Sequence, residues 1–188
     1  MKITLAHGSG GQSTKELIEK IFAASYKNPV LDMMEDSAVV GGANKIAITT
    51  DSFVVDPIFF KGGNIGRLAV CGTVNDLLMR GAPPKYLTSA FIIEEGAELN
   101  ELKLIAASMA QAAREAGVII VAGDTKVVDG NGRIYINTSG VGFIEGDDFA
   151  STKCEEDDVI IVSGSMGDHH AAILSHRMNI KNEIASEQ

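Results

Sequence analysis

Apolar positions recur at helical spacing most clearly over Leu99–Ala116. There Leu102, Ile105, Met109 and Ala113 form one stripe, and Gly117 follows as a stop signal. A second helix is predicted over about residues 64–80, closed by Gly81 and Pro83. A third follows the early glycines. Ser13 with Glu16 reads as a capping box, and Leu17, Ile18, Ile21 and Phe22 share a face. Strands are predicted over residues 86–94, 118–128 and 134–144. The last two are joined by Asp129-Gly130-Asn131-Gly132, a turn of hairpin type. Residues 2–6 alternate weakly, as an edge strand would. Residues 37–40 and 46–50 read as short strands split by Gly41-Gly42-Ala43-Asn44, a second hairpin signal. Strand pairs thus alternate with helices. That predicts an α+β domain with a mixed sheet and helices on one face, not a strict βαβ repeat.

After this pattern comes a polar connector, residues 146–158. Val159-Ile160-Ile161-Val162 then predicts a fresh strand, and Ala171, Ile173 and Leu174 a helix. One strand and one helix bury no core of their own. We therefore expect one domain over residues 1–149 and the start of a second α+β domain over residues 150–188, cut short.

Composition narrows the function classes. Hydrophobic residues are 45% and charged residues 22%, the balance of a soluble globular protein. Acids outnumber bases 25 to 16, for a net charge of -9, which argues against a nucleic-acid surface. No apolar run is long enough for a membrane span. The N-terminus turns glycine-rich too early for a secretory signal. Cys71 and Cys154 have neither disulfide-framework nor metal spacing. These features lead us to expect a cytoplasmic protein without nucleic-acid or membrane partners.

Three aspartates stand beside apolar runs. Asp51 ends Lys45-Ile46-Ala47-Ile48-Thr49-Thr50, Asp76 follows Asn75 inside an apolar helix, and Asp124 follows Gly123 after a strand. An acid buried in such surroundings needs a partner. A divalent cation satisfies several at once, with phosphate and water completing its shell. Gly72, one turn before Asp76, leaves room for a backbone or a ligand. Gly8, Ser9, Gly10 and Gly11 precede a helix, an arrangement that suits either an anion site or a mobile arm. Gly123-Asp124-Thr125-Lys126 offers a carboxylate, a hydroxyl and an ammonium, suiting metal, phosphate and a charged leaving group. Lys126 is the candidate catalytic cation. Asp36 precedes a predicted strand and Asp168 precedes His169 and His170. Asp36 also suits a turn or strand entry, while Asp168 reads as a fourth acid and His169 and His170 as helix-start residues.

Taken together, Leu5-Ala6-His7-Gly8-Ser9-Gly10-Gly11, Glu35-Asp36-Ser37-Ala38, Thr49-Thr50-Asp51-Ser52-Phe53-Val54-Val55-Asp56-Pro57, Cys71-Gly72-Thr73-Val74-Asn75-Asp76-Leu77, Ala122-Gly123-Asp124-Thr125-Lys126 and Ser163-Gly164-Ser165-Met166-Gly167-Asp168 carry a resemblance. The chain resembles the hydrogenase-maturation protein E (HypE) family. That family lies within the superfamily of aminoimidazole ribonucleotide synthetase, selenophosphate synthetase and thiamine-phosphate kinase.

The resemblance implies an ATP- and Mg2+-dependent carbamoyl dehydratase. Such an enzyme phosphorylates the amide oxygen of an S-carbamoyl group on a C-terminal cysteine, and loss of phosphate leaves a thiocyanate. This is the precursor of the cyanide ligands of nickel–iron hydrogenases. The resemblance also implies a homodimer joined through the sheets, a carbamoyltransferase partner and hydrogenase-maturation scaffold proteins. It assigns Asp36, Asp51, Asp76 and Asp168 to metal and Gly8 to Gly11 to a phosphate loop. It puts Asn75, Asp124, Thr125 and Lys126 near the nucleotide. No cysteine follows Cys154, so the chain as given is expected to be inactive alone. Two further readings stay open: another Mg-ATP kinase or synthetase of the superfamily, and a non-enzymatic dimerisation and docking module.

Overall fold

A computed structural model describes residues 1–178, with two 3-10 turns (Leu5–Gly8 and Leu31–Met33) near the start of the chain. The last part of the expected second domain, residues 179–188, lies outside the described residues. The chain separates into two compact units. The larger joins Met1–Phe59 to Gly63–Ala150. The smaller comprises Phe60–Gly62 and the chain from Ser151 on.

In the larger unit the first helical run is continuous. It consists of α1 (Gln12–Leu17), a π-helical stretch (Ile18–Ala23) and α2 (Ala24–Tyr26). Leu17, Ile21, Phe22 and Tyr26 turn inward. The expected capping box is absent. Gly11 is the N-cap, Glu16 pairs instead with Lys20 at 2.9 Å, and Thr14 Oγ1 accepts from the Gly10 amide at 3.0 Å. The helix starts two residues earlier than the signal implied, so Ser13 already lies inside it. Residues 2–6 form no strand. A single bridge joins Lys2 to Glu98, and the chain then tightens into the Leu5–Gly8 turn.

The sheet is built from β1 (Ile46–Phe53), β4 (Pro84–Glu94), β5 (Ile119–Val128) and β6 (Ile134–Phe143), in the order β1-β6-β4-β5. The two-residue strands β2 (Phe59–Phe60) and β3 (Gly63–Asn64) flank the Lys61-Gly62 turn. β4 pairs with β5 in parallel, while β6 runs antiparallel to both β4 and β1. The sheet is therefore mixed, as the strand order suggested. Both predicted hairpins fail. β5 and β6 are consecutive but β4 lies between them, and β1 pairs with β6 while residues 37–40 have no strand. A Gly/Asn turn reverses the chain locally but does not say which strand fills the gap it leaves.

α3 (Ile65–Met79) and α4 (Leu99–Ala116) cover one face of the sheet. The Asn64 side chain caps α3 by accepting from Gly66 and Arg67 amides at 2.9 and 3.1 Å. Gly117, at φ 67°, ends α4 in the left-handed conformation that glycine enters without a Cβ penalty. The α4 stripe is buried throughout, packing with Ile65, Ala69, Val70, Phe91, Ile93 and Ile136. Gly66 is where the two helices touch: a Cβ there would stand 2.5 Å from the Ile105 carbonyl. The opposite face of the sheet is open. Ile46, Ile48 and Ile92 are exposed on it, and Tyr86 and Phe143 meet edge-on at 5.9 Å.

At the end of the larger unit Asp148 binds both Lys45 and Arg80 at 2.6 Å. In the smaller unit Val159–Val162 is exposed and forms no strand, since no partner strand for it occurs among the described residues. α5 (Asp168–Arg177) begins at Asp168.

Candidate functional site

β5, the 30–38 loop, the first helical run and the N-terminal arm enclose a cavity of about 340 Å³. Its lining includes Gly8, Gly10, Asp36, Gly123, Asp124, Thr125 and Lys126. Close packing brings the arm to the strand. A Cβ on Gly8 would stand 2.7 Å from the Val127 amide nitrogen. Gly123 has the same tightness on the other side, where a Cβ would meet the Ser89 carbonyl at 2.5 Å. Strand alternation then sorts Gly123-Asp124-Thr125-Lys126. Thr125, opposite Phe91, is buried, while Asp124 and Lys126, opposite Ala90 and Ile92, are exposed.

Asn28 fixes the loop above the cavity. Its amide donates to the carbonyls of Tyr26 and Ile120 at 2.9 and 2.8 Å, and its oxygen accepts from the Val30 and Leu31 amides. Sequence reading did not single out Asn28, and its reach to β5 carried no signal.

The deep end of the cavity is aromatic. Phe22 lies 4.6 Å from Phe91 and 6.2 Å from Tyr26, centroid to centroid. Two hydroxyls sit among these rings. Tyr26 donates to Met109 Sδ at 3.1 Å, a weak acceptor. Burial pushes its phenol well above the ordinary value, and the nearby Ser89 hydroxyl pulls it partly back. Ser89 Oγ is only 3% exposed and makes no hydrogen bond of good geometry. Sequence reading singled out none of Phe22, Tyr26, Ser89 and Phe91 as site residues. They are ordinary core types at core spacing, and only the enclosed space beside them marks them.

The remaining candidate residues lie elsewhere. Asp51 and Asp76 face each other's elements across β1 and α3. Thr49 donates to Asp76 Oδ2 and Thr73 donates to Asp51 Oδ2, both at 2.9 Å. Thr73 and Thr138 are 2.6 Å apart, and Thr138 reaches the Ala69 carbonyl at 3.2 Å. Neutral hydroxyls therefore meet these carboxylates. Asp51 is half-buried, whereas Asp76 and Asp124 are exposed, contrary to the burial expected of all three. A helix turns about 100° per residue, so the buried neighbours Val74 and Leu77 leave Asn75 and Asp76 pointing outward. The room beside Gly72 is taken by the Phe53 ring, which a Cβ would approach to 2.8 Å. Ser9 and Gly11 belong to the exposed arm, and Asp168 belongs to the smaller unit. Among the described residues no three of His, Cys, Asp and Glu come together as metal ligands. Nor does any described helix have the length and apolarity to cross a membrane.

The cavity has the volume of a small-molecule site, and glycine backbone and the unpaired Ser89 hydroxyl line it. For a divalent cation the chain alone presents no preformed set. Asp36 and Asp124 line the cavity, and phosphate and water would have to complete the shell.

Comparison with known proteins agrees with this architecture. Residues 34–144 match the family described as AIR synthase related protein, N-terminal domain. The chain is 44% identical over 196 residues to the carbamoyl dehydratase HypE of Escherichia coli K12, covering 98% of this chain and 58% of that protein. A crystal structure of hydrogenase maturation protein HypE in complex with ATP superposes with TM-score 0.90 at 47% identity, covering 94% of this chain and 54% of that one. A HypE–HypF complex superposes with TM-score 0.68 at 52% identity, covering 89% and 55%. The chain thus spans about half the length of the curated relatives it matches.

Proposed function

The chain belongs to the AIR synthase related protein family, and on that footing we propose that it is the N-terminal, nucleotide-binding part of an ATP-dependent carbamoyl dehydratase of hydrogenase maturation. The observation that carries this reading is the cavity where the Gly8–Gly11 arm meets Gly123-Asp124-Thr125-Lys126. In it, backbone amides of the glycines receive phosphate oxygens. Lys126 supplies a mobile positive charge beside the transferred phosphoryl group. Asp36 and Asp124 hold Mg2+, whose chemistry is to neutralise phosphate charge and orient the group in line.

Asp51, Asn75 and Asp76 sit on β1 and α3, at the edge of the sheet away from β5. Four strands at about 4.8 Å spacing separate the two edges by roughly 14 Å. We assign these residues to a site near the interface of a homodimer that pairs the open sheet faces, although their side chains lie on the helix side of β1. The substrate is an S-carbamoyl group on a C-terminal cysteine, loaded by a carbamoyltransferase of the kind seen in the HypE–HypF complex. Maturation scaffold proteins are the further partners, and the cytoplasm is the place of action.

Titration calorimetry with ATP and Mg2+ tests the reading. The chain should bind ATP, and Lys126→Ala should weaken binding about tenfold, the cost of one charge-assisted contact. At a hundredfold excess over Kd, ATP should add about 2.7 kcal/mol to stability. If the unmodified chain fails to bind ATP, the proposal is wrong.

A further inference from the structure

We infer that His7 is a positioning residue: its neutral imidazole is the clasp that holds the glycine arm against β5, and protonation opens that clasp. The clasp stands on the geometry of the arm. Its consequence for binding rests on the nucleotide reading above.

His7 directly precedes Gly8 and lies in the Leu5–Gly8 turn. It closes a reciprocal cap there. The Thr4 carbonyl accepts from the His7 amide at 2.9 Å, and the Thr4 amide donates back to His7 Nδ1 at 3.1 Å. Thr4 Oγ1 lies 3.0 Å from the same nitrogen. This is the layout of a capping box, with an imidazole where glutamate or glutamine usually stands. A ring nitrogen that accepts from an amide carries no proton. The clasp therefore requires the neutral ring, with its proton on Nε2.

Charging the ring reverses the polarity at Nδ1. A proton there meets the Thr4 N–H, donor against donor. The Thr4 hydroxyl can turn to accept it, but the Thr4 amide loses its partner. The Thr4 carbonyl, 3.3 Å from Nδ1, already accepts from the His7 amide. The surrounding charges do not replace the lost acceptor. Glu16 of α1 feels the charge of the ring but is engaged by Gln12 and Lys20. Glu95, after β4, accepts from the Leu5 amide at 3.2 Å. Lys2 and Glu98 bridge each other just before the turn. On β5, Lys126 and Asp129 flank Val127 and Val128, where Gly8 packs.

The clasp sets where the glycines lie. On one side Ile3 is anchored, its amide donating to the Ala97 carbonyl at 2.8 Å. On the other, Gly8 packs on Val127 and the Gly10 amide is tied to Thr14 Oγ1 at 3.0 Å. His7 fixes the chain between these points. The turn contributes no buried residue, so opening it loosens the arm and leaves the core intact.

The test compares the native chain with His7→Gln, which keeps a capping-box acceptor but takes up no proton, and with His7→Ala, which has no acceptor. Solvent exchange of the Thr4 and His7 amides, measured by NMR, reads the clasp directly, with the three proteins compared at one pH. At about pH 7.5 the native chain and His7→Gln should protect these amides alike, and His7→Ala about threefold less, the effect of one exposed hydrogen bond. At about pH 5.5, in the range where histidine as a residue type gains its charge, the native chain should fall to the level of His7→Ala while His7→Gln holds. ATP affinity by calorimetry should follow the same order, with one unfolding midpoint for all three. Equal protection in His7→Ala and the native chain overturns the clasp. A fall shared by His7→Gln at the lower pH overturns the imidazole as its trigger. ATP affinity that ignores a loosened arm overturns the positioning role. A native chain that binds no ATP overturns the nucleotide reading instead, and the exchange rates still decide the clasp.

Discussion

Single residues in this chain act mainly through what they exclude. Gly123 has no room for a side chain, because the Ser89 carbonyl lies where a Cβ would stand. Gly123→Ala forces two backbones apart and should cost about 1–3 kcal/mol, read as a lower midpoint in denaturant. Glu94 acts by attraction. The Asn131 amide donates to its carboxylate at 2.7 Å, the Arg133 amide at 3.2 Å and the Tyr135 hydroxyl at 2.9 Å. These bonds, the Asn131 amide foremost, hold its carboxyl below the ordinary 4.5. A depressed folded-state value means that Glu94 contributes stability above the unfolded value. That contribution fades as pH falls through the folded one. The advantage of the native chain over Glu94→Gln should therefore be complete above about pH 5 and vanish in stronger acid. Unfolding curves of both proteins from pH 7 to pH 2 check this, and parallel curves would exclude it. Chemistry-bearing residue types such as Asp36 and Lys126 were legible in the sequence. Ser89 was not, because a serine inside a strand has no signature until its surroundings are known.

Among the elements, α4 was fully legible. Its bounds, stripe and stop glycine all match expectation, because helical periodicity is local and eighteen residues sample it five times over. Leu102 is fully buried on that stripe, and Leu104 is exposed beside it. Leu102→Ala should cost about 2–5 kcal/mol, and Leu104→Ala within about 0.5. Thermal unfolding of the pair would expose a misassigned face at once. Strand positions were legible too, to within two residues for β4, β5 and β6. Their partners were not. Turn residues after β5 spoke for a hairpin, yet β4 intervenes, because pairing is settled by which edges are free when the sheet assembles. The expected capping box failed by two residues of phase. Cap signals and first-turn residues draw on the same side chains, so a small shift leaves the pattern plausible.

The larger unit is two-sided: α3 and α4 seal one face of its sheet and leave the other open. Ile48 is 68% exposed and Ile92 48% on that open face. Such apolar surface on an otherwise charged protein marks an interaction surface. The proposed dimer predicts that Ile48→Asp with Ile92→Asp yields a monomer by sedimentation velocity, with the unfolding midpoint of the domain little changed. If the native chain sediments as a monomer at micromolar concentration, pairing through this face is excluded.

Sequence alone located α3, α4 and the four strands of the sheet, while also expecting strands at residues 2–6, 37–40 and 159–162 that do not form, and it indicated that the sheet would be mixed and which residue types suit phosphate and metal chemistry. These follow from periodicity, turn propensity and side-chain functional groups, all of which act over a few residues. The tertiary structure alone decided the strand order, the exposure of Asp76 and Asp124, the division of the candidate acids between two edges of the sheet, and the aromatic cavity with its unpaired Ser89 hydroxyl. Each of these depends on contacts between residues distant in the chain. A local pattern can say that Phe22, Ser89 and Phe91 are core residues, but not that they enclose a space.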